Sequence, residues 1–289
     1  MIIPTKKLKN GFEIPVYGLG TWMMGGGMVK DPNNDDQADI RAIKSAIEAG
    51  VTHIDSAEKY AEGYAEELVG KAIQGYDREK LFLVTKIAED HLHYNDVFTS
   101  LNHSLERLQT DYLDLYMIHG PSLTIPIEET MRAFDEIVAR GLVKNIAVSN
   151  FTVERFEKAQ AVTKNKIVAG QYHLNLKYRE AERKGLLRYF QENDIMFIAW
   201  RPLQKGVLLQ EENNLFDEIA KKYNKTPAQI ALNWLISQEN VVTLSKTGDE
   251  NHLKENLGAL GWQMDKEDIE RLDKEYPNQE SISDTVPLH

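Results

Sequence analysis

Four polar residues, Asp55, Tyr60, Lys86 and His119, stand at or just past the ends of three apolar runs, Val51–Ile54, Leu81–Thr85 and Leu113–Ile118. Each run reads as a buried strand. A carboxylate, a phenol, an ammonium and an imidazole brought together suit proton transfer by tyrosine. A cation beside a phenol stabilises the phenolate and pulls its pKa down from about 10 toward the working pH. The four are spread along the chain, so only tertiary structure can assemble them. Parallel strands that close into a barrel would do so, because side chains at their carboxy-terminal ends converge.

The remaining sequence predicts such a barrel. Candidate strands recur eight times, at Val16–Leu19, Thr52–Asp55, Leu81–Thr85, Leu113–Ile118, Asn145–Val148, Val168–Gln171, Met196–Ala199 and Val241–Leu244. Amphipathic helices follow them, at Asp36–Ala49, Ala65–Ile73, Asp96–Leu108, Ile127–Arg140, Val153–Ala161, Gly185–Glu192, Leu215–Tyr223 with Pro227–Gln238, and Asn251–Leu257. Eight such units imply a single (β/α)8 barrel domain over residues 1–289, with no linker to divide it. Gly50 and Gly141 read as helix stops, and Thr226-Pro227 as a cap. Asn10-Gly11, within Leu8–Ile14, predicts a hairpin with a two-residue turn that plugs the barrel floor. Lys266–Lys274 predicts an extra carboxy-terminal helix, and the polar segment Tyr276–His289 a loosely packed tail.

The chain has 42% hydrophobic and 27% charged residues, enough to bury a large core and stay in solution. It has no cysteine, which excludes disulfides, thiolate nucleophiles and sulfur-ligated zinc. A cytoplasmic location is expected. No signal-peptide layout opens the sequence, and no apolar run is long enough for a bilayer. The net charge of -11 argues against a nucleic-acid surface while leaving room for one basic pocket. His91 and His93 have strand-like spacing, and His119 and His173 end other strands, but no dense carboxylate set accompanies them, so no metal site is expected.

The loop Thr21–Asp36 contains Trp22, Met23 and Met24, then three glycines, Gly25 to Gly27. It lacks the GxGxxG pattern and the lysine-serine pair of a phosphate loop. It reads as a flexible loop beside a pocket, with the Trp and Met side chains as an apolar substrate wall.

Seven ordered segments carry a family resemblance: GLGTW (18–22), HIDSAEKY (53–60), EELVGKAI (66–73), VTK (84–86), DYLDLYMIHGP (111–121), GLVKNIAVSNF (141–151) and SKTGDENHLKEN (245–256). Across almost its whole length the sequence resembles the aldo-keto reductases. LDKEYP (272–277) points within the family to prokaryotic reductases of small aldehydes, the methylglyoxal reductase-like members.

The resemblance implies roles. Tyr60 would be the general acid, Lys86 the cation that lowers its pKa, Asp55 the partner of Lys86, and His119 a neutral donor to the substrate oxygen. Ser149, Asn150 and Gln171 would bind the nicotinamide carboxamide, with Gly20 and Thr21 of the first motif also at the cofactor. Trp200 takes the place of a tyrosine stacked on the nicotinamide. Arg201 replaces a small serine; it either reaches the pyrophosphate, with groups near Leu203 and Gly206, or faces solvent. Lys246 and Thr247 would grip the adenosine 2′-phosphate, and Asn256 would face adenine. His252 falls where most members have an arginine. Lys246 and Thr247 make NADPH the expected cofactor; His252 reduces the discrimination against NADH, which stays possible, and the negative charge of Asp249 and Glu250 points the same way as His252. Trp22, Met23 and His91, with His93 and Tyr94, are expected to line the substrate mouth.

The expected activity is NADPH-dependent reduction of a small aldehyde or ketone, its partner a small-molecule carbonyl. The chain is expected to be a monomer or weak oligomer. The alternative is a redox-sensing barrel that holds nicotinamide with slow turnover. The short segment Gln204–Leu215 offers no clasping loop, which favours quick cofactor release and an enzyme.

Overall fold

The computed structural model describes residues 1–210 and 214–288. A two-stranded antiparallel ribbon, β1 (Thr5–Lys7) and β2 (Glu13–Pro15), precedes eight parallel strands. These are β3 (Tyr17–Gly20), β4 (His53–Asp55), β5 (Phe82–Ile87), β6 (Leu115–Ile118), β7 (Ile146–Ser149), β8 (Ile167–His173), β9 (Met196–Trp200) and β10 (Val241–Ser245). They pair in sequence order, and β10 returns to β3 to close the barrel. Except for Phe82 and Trp200, every barrel-strand residue is buried. One face packs into the barrel and the other beneath the helices, which is why the strands read as apolar runs rather than alternations.

The predicted strands are all present, with shifted ends. β5 continues to Ile87, so Lys86 lies within the strand; β8 continues to His173; β6 starts at Leu115, with Leu113 left as an isolated bridge to Val143. Polar side chains mark the mouth of the barrel without ending the backbone ladder. Close packing shows at Gly18, where a Cβ would lie 2.5 Å from His53 Nδ1.

Gly50 and Gly141 stop their helices at φ +102 and +74. Thr226 and Gln229 form a reciprocal capping box around Pro227. The last helix runs Lys266–Glu275, and a short helix at Glu180–Arg183 was not expected from the sequence. No helix among the described residues is long and apolar enough to cross a membrane.

The hairpin covers the floor: Leu8, Phe12 and Ile14 are buried, Phe12 meets Phe82 at the start of β5, and Lys6 Nζ donates to Ile236 and Val241 carbonyls at 2.8 and 2.7 Å. Its turn is not the predicted two-residue form. Gly11, at φ +94, is left-handed while Asn10 is not, and Gly11 N bonds Leu8 O at 3.0 Å inside the Leu8–Phe12 pair. A type I′ turn needs positive φ at both central residues, so the loop takes three residues with glycine last.

The tail is not loose. Ser283 and Leu288 are buried, and their backbone N–H groups donate to the two carboxylate oxygens of Glu180 at 2.7 and 3.0 Å. A polar segment is well ordered here because a buried carboxylate satisfies its backbone donors.

Candidate active site

At the carboxy-terminal mouth of the barrel, Lys86 Nζ lies 2.5 Å from Asp55 Oδ1 and 2.7 Å from Ser56 O, all three groups buried. Asp55 Oδ2 accepts from Gln171 Nε2 at 2.8 Å. Both carboxylate oxygens and two of the three ammonium donors are therefore bonded, as a buried ion pair requires. Burial would lower the Lys86 pKa, but the attraction of Asp55, aided by Tyr60, carries it above the ordinary lysine value. Lys86 is thus a permanent cation.

Tyr60 opens the 3-10 turn Tyr60–Gly63, its ring centroid 5.3 Å from Lys86 Nζ, close enough for the ammonium to act on the phenol. Trp22 and His119 meet the Tyr60 ring edge-on, with centroids 5.0 and 5.7 Å away. The next three residues are left-handed: Ala61 at φ +50, Glu62 at +57 and Gly63 at +90. Ala61 N and Glu62 N donate to Gly27 O and Met28 O at 2.7 and 3.2 Å, which holds this costly conformation in place.

The glycine loop that supplies those carbonyls is therefore a buttress rather than a flexible flap. Gly25 and Gly26 take φ +76 and +133, Gly25 N donates to Asp39 Oδ2 at 3.0 Å, and Asp31 N returns to Gly25 O at 2.9 Å. A Cβ on Gly26 would lie 2.4 Å from Val29 O, so the turn itself demands glycine.

One electrostatic expectation is reversed. Burial raises the Tyr60 phenol above its ordinary pKa, and Lys86 pulls it only part-way back. Desolvation of a phenolate here outweighs one neighbouring cation that Asp55 already neutralises. Tyr60 is protonated at neutral pH.

His119 follows β6, its backbone N bonded to Ile87 O at 2.9 Å and its carbonyl accepting Asn150 Nδ2 at 3.0 Å. Burial, with Lys86 and Lys59 nearby, holds its pKa well below the ordinary value, so the ring is neutral. Its Nδ1 is buried with no hydrogen-bond partner. A neutral imidazole keeps one donor and one acceptor for a ligand.

Ser149 ends β7 and donates to Gln171 O at 2.9 Å; Asn150 follows at φ +61. With the amide nitrogens of Asn150 and Gln171 engaged by His119 and Asp55, their oxygens remain as acceptors at the rim. Gly20 ends β3. Thr21 is buried behind Asp55, its Oγ1 donating to Asp55 O at 3.1 Å and lying 2.9 Å from the Ser56 hydroxyl. The trio Ser149, Asn150 and Gln171 thus adjoins the four polar residues, while Thr21 supports them from below.

On the next strand, half-buried Trp200 stacks on His173 with centroids 4.5 Å apart. Arg201, left-handed at φ +56, is turned to the carboxy-terminal tail. It pairs with Asp284 at 3.4 Å and donates to Thr285, both in the tail. Gly206 sits at φ +86 in the 3-10 turn Gln204–Leu209, its N bonded to Leu203 O at 2.8 Å. Of the segment Gln204–Leu215, residues 211–213 lie outside the described residues.

After β10, Lys246 is exposed, and Thr247 Oγ1 donates to Asp249 O at 3.1 Å. Asp249 caps the helix Glu250–Leu257, its carboxylate accepting from Asn251 N and His252 N at 2.7 and 3.0 Å. His252 is exposed on that first turn. Asn256 is instead buried, its amide donating to Ser245 Oγ at 3.2 Å and Tyr17 Oη at 3.3 Å, so it ties the helix to the barrel.

Of the expected wall, Trp22 stands against Tyr60 and Met23 is exposed, but Met24 is sunk in the core. His91 turns to Glu58, with Nδ1 2.9 Å from Oε1, and His93 and Tyr94 turn to Glu129 and Glu136. Sequence reasoning did not foresee the Gln171–Asp55 bond, the Ser56 carbonyl on Lys86, or the burial of His173. No local pattern announces any of them.

Residues 17–276 match the family model described as Aldo/keto reductase family. The protein belongs to that family. It is 33% identical to methylglyoxal reductase YeaE of Escherichia coli (strain K12), over 92% of each chain. It is 34% identical to glyoxal reductase of Bacillus subtilis (strain 168), over 93% of this chain and 91% of the relative. Among solved structures, the thermostable aldo-keto reductase Tm1743 in complex with the inhibitor epalrestat is 41% identical, with a TM-score of 0.89 over 94% of this chain and 99% of that one. An aldo-keto reductase from Klebsiella pneumoniae in complex with NADPH is 31% identical, with a TM-score of 0.86 over 97% and 98%. As a member of this family the protein is an oxidoreductase that reduces carbonyl compounds.

Proposed function

We propose that the protein reduces a small aldehyde, with 2-oxoaldehydes as the leading class, to an alcohol at the expense of NADPH, and that Tyr60 is the general acid. The observation that carries this reading is the Lys86 ammonium, which bonds Asp55 and stands 5.3 Å from the Tyr60 ring centroid, with His119, its Nδ1 without a hydrogen-bond partner, beside the phenol.

The dinucleotide supplies the hydride. The residues present suit it: the acceptor oxygens of Asn150 and Gln171 match the NH2 of a carboxamide, the Trp200 indole matches a flat ring, and Lys246 matches a phosphate. His119 donates to the carbonyl oxygen and orients it. Tyr60 transfers its proton to that oxygen as negative charge develops there. The phenolate left behind is stabilised by Lys86, which Asp55 and Ser56 hold in place. A phenol protonated at neutral pH suits reduction rather than alcohol oxidation. Trp22 and exposed Met23 provide an apolar wall, with His91 at the outer rim.

The names of the two bacterial relatives support the substrate class. Lys246 supports NADPH over NADH; the exposed His252 in place of an arginine, and the capping carboxylate of Asp249, weaken that preference. One barrel domain spanning the chain, acting as a monomer or weak oligomer in the cytoplasm, completes the reading.

The test is a panel of methylglyoxal, glyoxal and glyceraldehyde with each reduced nicotinamide, followed by absorbance, using wild type and Tyr60→Phe. Wild type should turn over with NADPH preferred. Tyr60→Phe should bind cofactor and not turn over; retained activity overturns the mechanism, and equal efficiency with NADH overturns the preference.

A further inference from the structure

His173 is a buried titratable group that the proton transfer does not use. Its ring is stacked twice: on Trp200, with centroids 4.5 Å apart and planes 14° off parallel, and on Tyr178, at 4.8 Å and 23°. Two larger rings stacked on one imidazole take its opposite faces, so His173 is the middle layer of a three-ring pile ending in the half-buried Trp200.

The imidazole cannot rotate out of that pile. Its Nε2 lies 2.9 Å from Gln204 Oε1 and its Nδ1 lies 2.8 Å from Ser283 Oγ. Asn175 Nδ2 lies 3.2 Å from the same Nε2 and donates to Arg201 O at 2.9 Å, so the ring is held at both nitrogens. Gln204 is held in turn by Asp284, its Nε2 donating to Oδ2 at 2.9 Å, and the same carboxylate pairs with Arg201, the residue after Trp200. Glu180 anchors the segment from below through Ser283 N.

We infer that Ser283 and Asp284 make the carboxy-terminal segment a strut that fixes the plane of Trp200 through His173, so that His173 and Ser283 are positioning residues for the cofactor ring. The inference rests on the reading of Trp200 as the face that receives the nicotinamide. A half-exposed indole on an unsupported strand end must be ordered when a ring binds to it; one already held in a pile bears that ordering cost at folding instead. The tail, far from the barrel in sequence, thereby becomes part of the cofactor site without touching the cofactor.

The experiment compares wild type with Trp200→Ala, His173→Leu and Ser283→Ala. Each is titrated with NADP+ by calorimetry, melted without ligand, and assayed for cofactor KM and kcat. Trp200→Ala should weaken NADP+ by about tenfold or more. His173→Leu and Ser283→Ala should each weaken it by about three- to tenfold, raising cofactor KM more than they lower kcat. Lower melting temperatures with unchanged NADP+ affinity in His173→Leu and Ser283→Ala, beside a weakened Trp200→Ala, would overturn the strut and leave the Trp200 reading standing. Unchanged affinity in Trp200→Ala would remove both. Ser283→Ala deletes one hydroxyl from the tail, so it tests the idea even where His173→Leu fails to fold.

Discussion

Gln171 Nε2 lies 2.8 Å from Asp55 Oδ2, a bond that spans the barrel mouth between β8 and β4. It joins the Gln171 amide to the buried ion pair, because Asp55 Oδ1 is the oxygen that holds Lys86. Gln171→Leu should leave a buried carboxylate oxygen without its donor and lower stability by about 1–3 kcal/mol. Gln171→Glu sets a second carboxylate against the first and should be worse at neutral pH, recovering as pH falls. Urea unfolding of both variants at pH 7 and pH 5 checks this; a Gln171→Leu chain as stable as wild type would refute it.

Lys86 and Asp55 should fail singly and recover together. Lys86→Met strands a buried carboxylate and should cost about 3–5 kcal/mol. Adding Asp55→Asn removes that charge, so the double variant should be more stable than Lys86→Met alone. The catalytic consequence has a direction. Without Lys86, burial acts unopposed on the Tyr60 phenol and its pKa rises further, so the pH above which alcohol oxidation levels off should move up. The pH profile of alcohol oxidation on the folded Lys86→Met chain decides the matter; an unshifted profile would contradict the assigned role of Lys86.

The barrel was legible because parallel strands buried on both faces leave continuous apolar runs, and the four polar residues interrupt those runs where the mouth must be. Other features depend on depth and on distant partners. That the Tyr60 phenol moves up rather than down depends on how deeply the turn is buried, which residue types do not encode. The tail reads as loose because Ser283 and Asp284 are polar; their partners, Glu180, His173, Gln204 and Arg201, lie on remote segments. Three glycines suggest a flexible loop, yet the carbonyls of Gly27 and Met28 are used by Ala61 and Glu62, a pairing visible only once the Tyr60 turn is built. Asn10-Gly11 marks a turn correctly, but its type is set by the Leu8–Phe12 pair.

Ala61 occupies left-handed space at φ +50, immediately after Tyr60. An alanine there costs roughly 1–2 kcal/mol relative to right-handed backbone, and glycine escapes most of it. Ala61→Gly should therefore raise stability by up to about 1 kcal/mol, the unfolded-chain entropy of glycine offsetting part of the gain. Gly26→Ala should do the reverse, since its Cβ would collide with Val29 O and push the buttress from the Tyr60 turn. Turnover in Gly26→Ala should fall more than its melting temperature suggests. Thermal melts with kcat for the two variants test the pair; a Gly26→Ala chain with wild-type kcat would show that the loop does not hold Tyr60.

Two buried histidines set an acid limit on the fold. His53 lies fully buried in β4 against the Phe82 ring, 5.5 Å between centroids, and burial lowers its pKa from 6.5 to about 4. His173 is lowered to about 4 as well, first by burial. Both are neutral in the folded chain and protonate near 6.5 when it unfolds. Their stabilisation is therefore complete above pH 6.5 and declines as pH falls from 6.5 to about 4, below which they take nothing further. Each contributes at most roughly 3 kcal/mol across that window, from about 1.4 kcal/mol per pH unit for one proton. Exposed carboxylates held below their ordinary range, such as Asp249, lose their contribution only at lower pH. Urea midpoints at pH 7.5, 5.5 and 4.5 should fall steadily for wild type. His53→Leu, which removes one of the protons that His53, His119 and His173 take up on unfolding, should show a shallower fall over the same range, and an unchanged slope would mean that His53 is not titrating as its burial dictates.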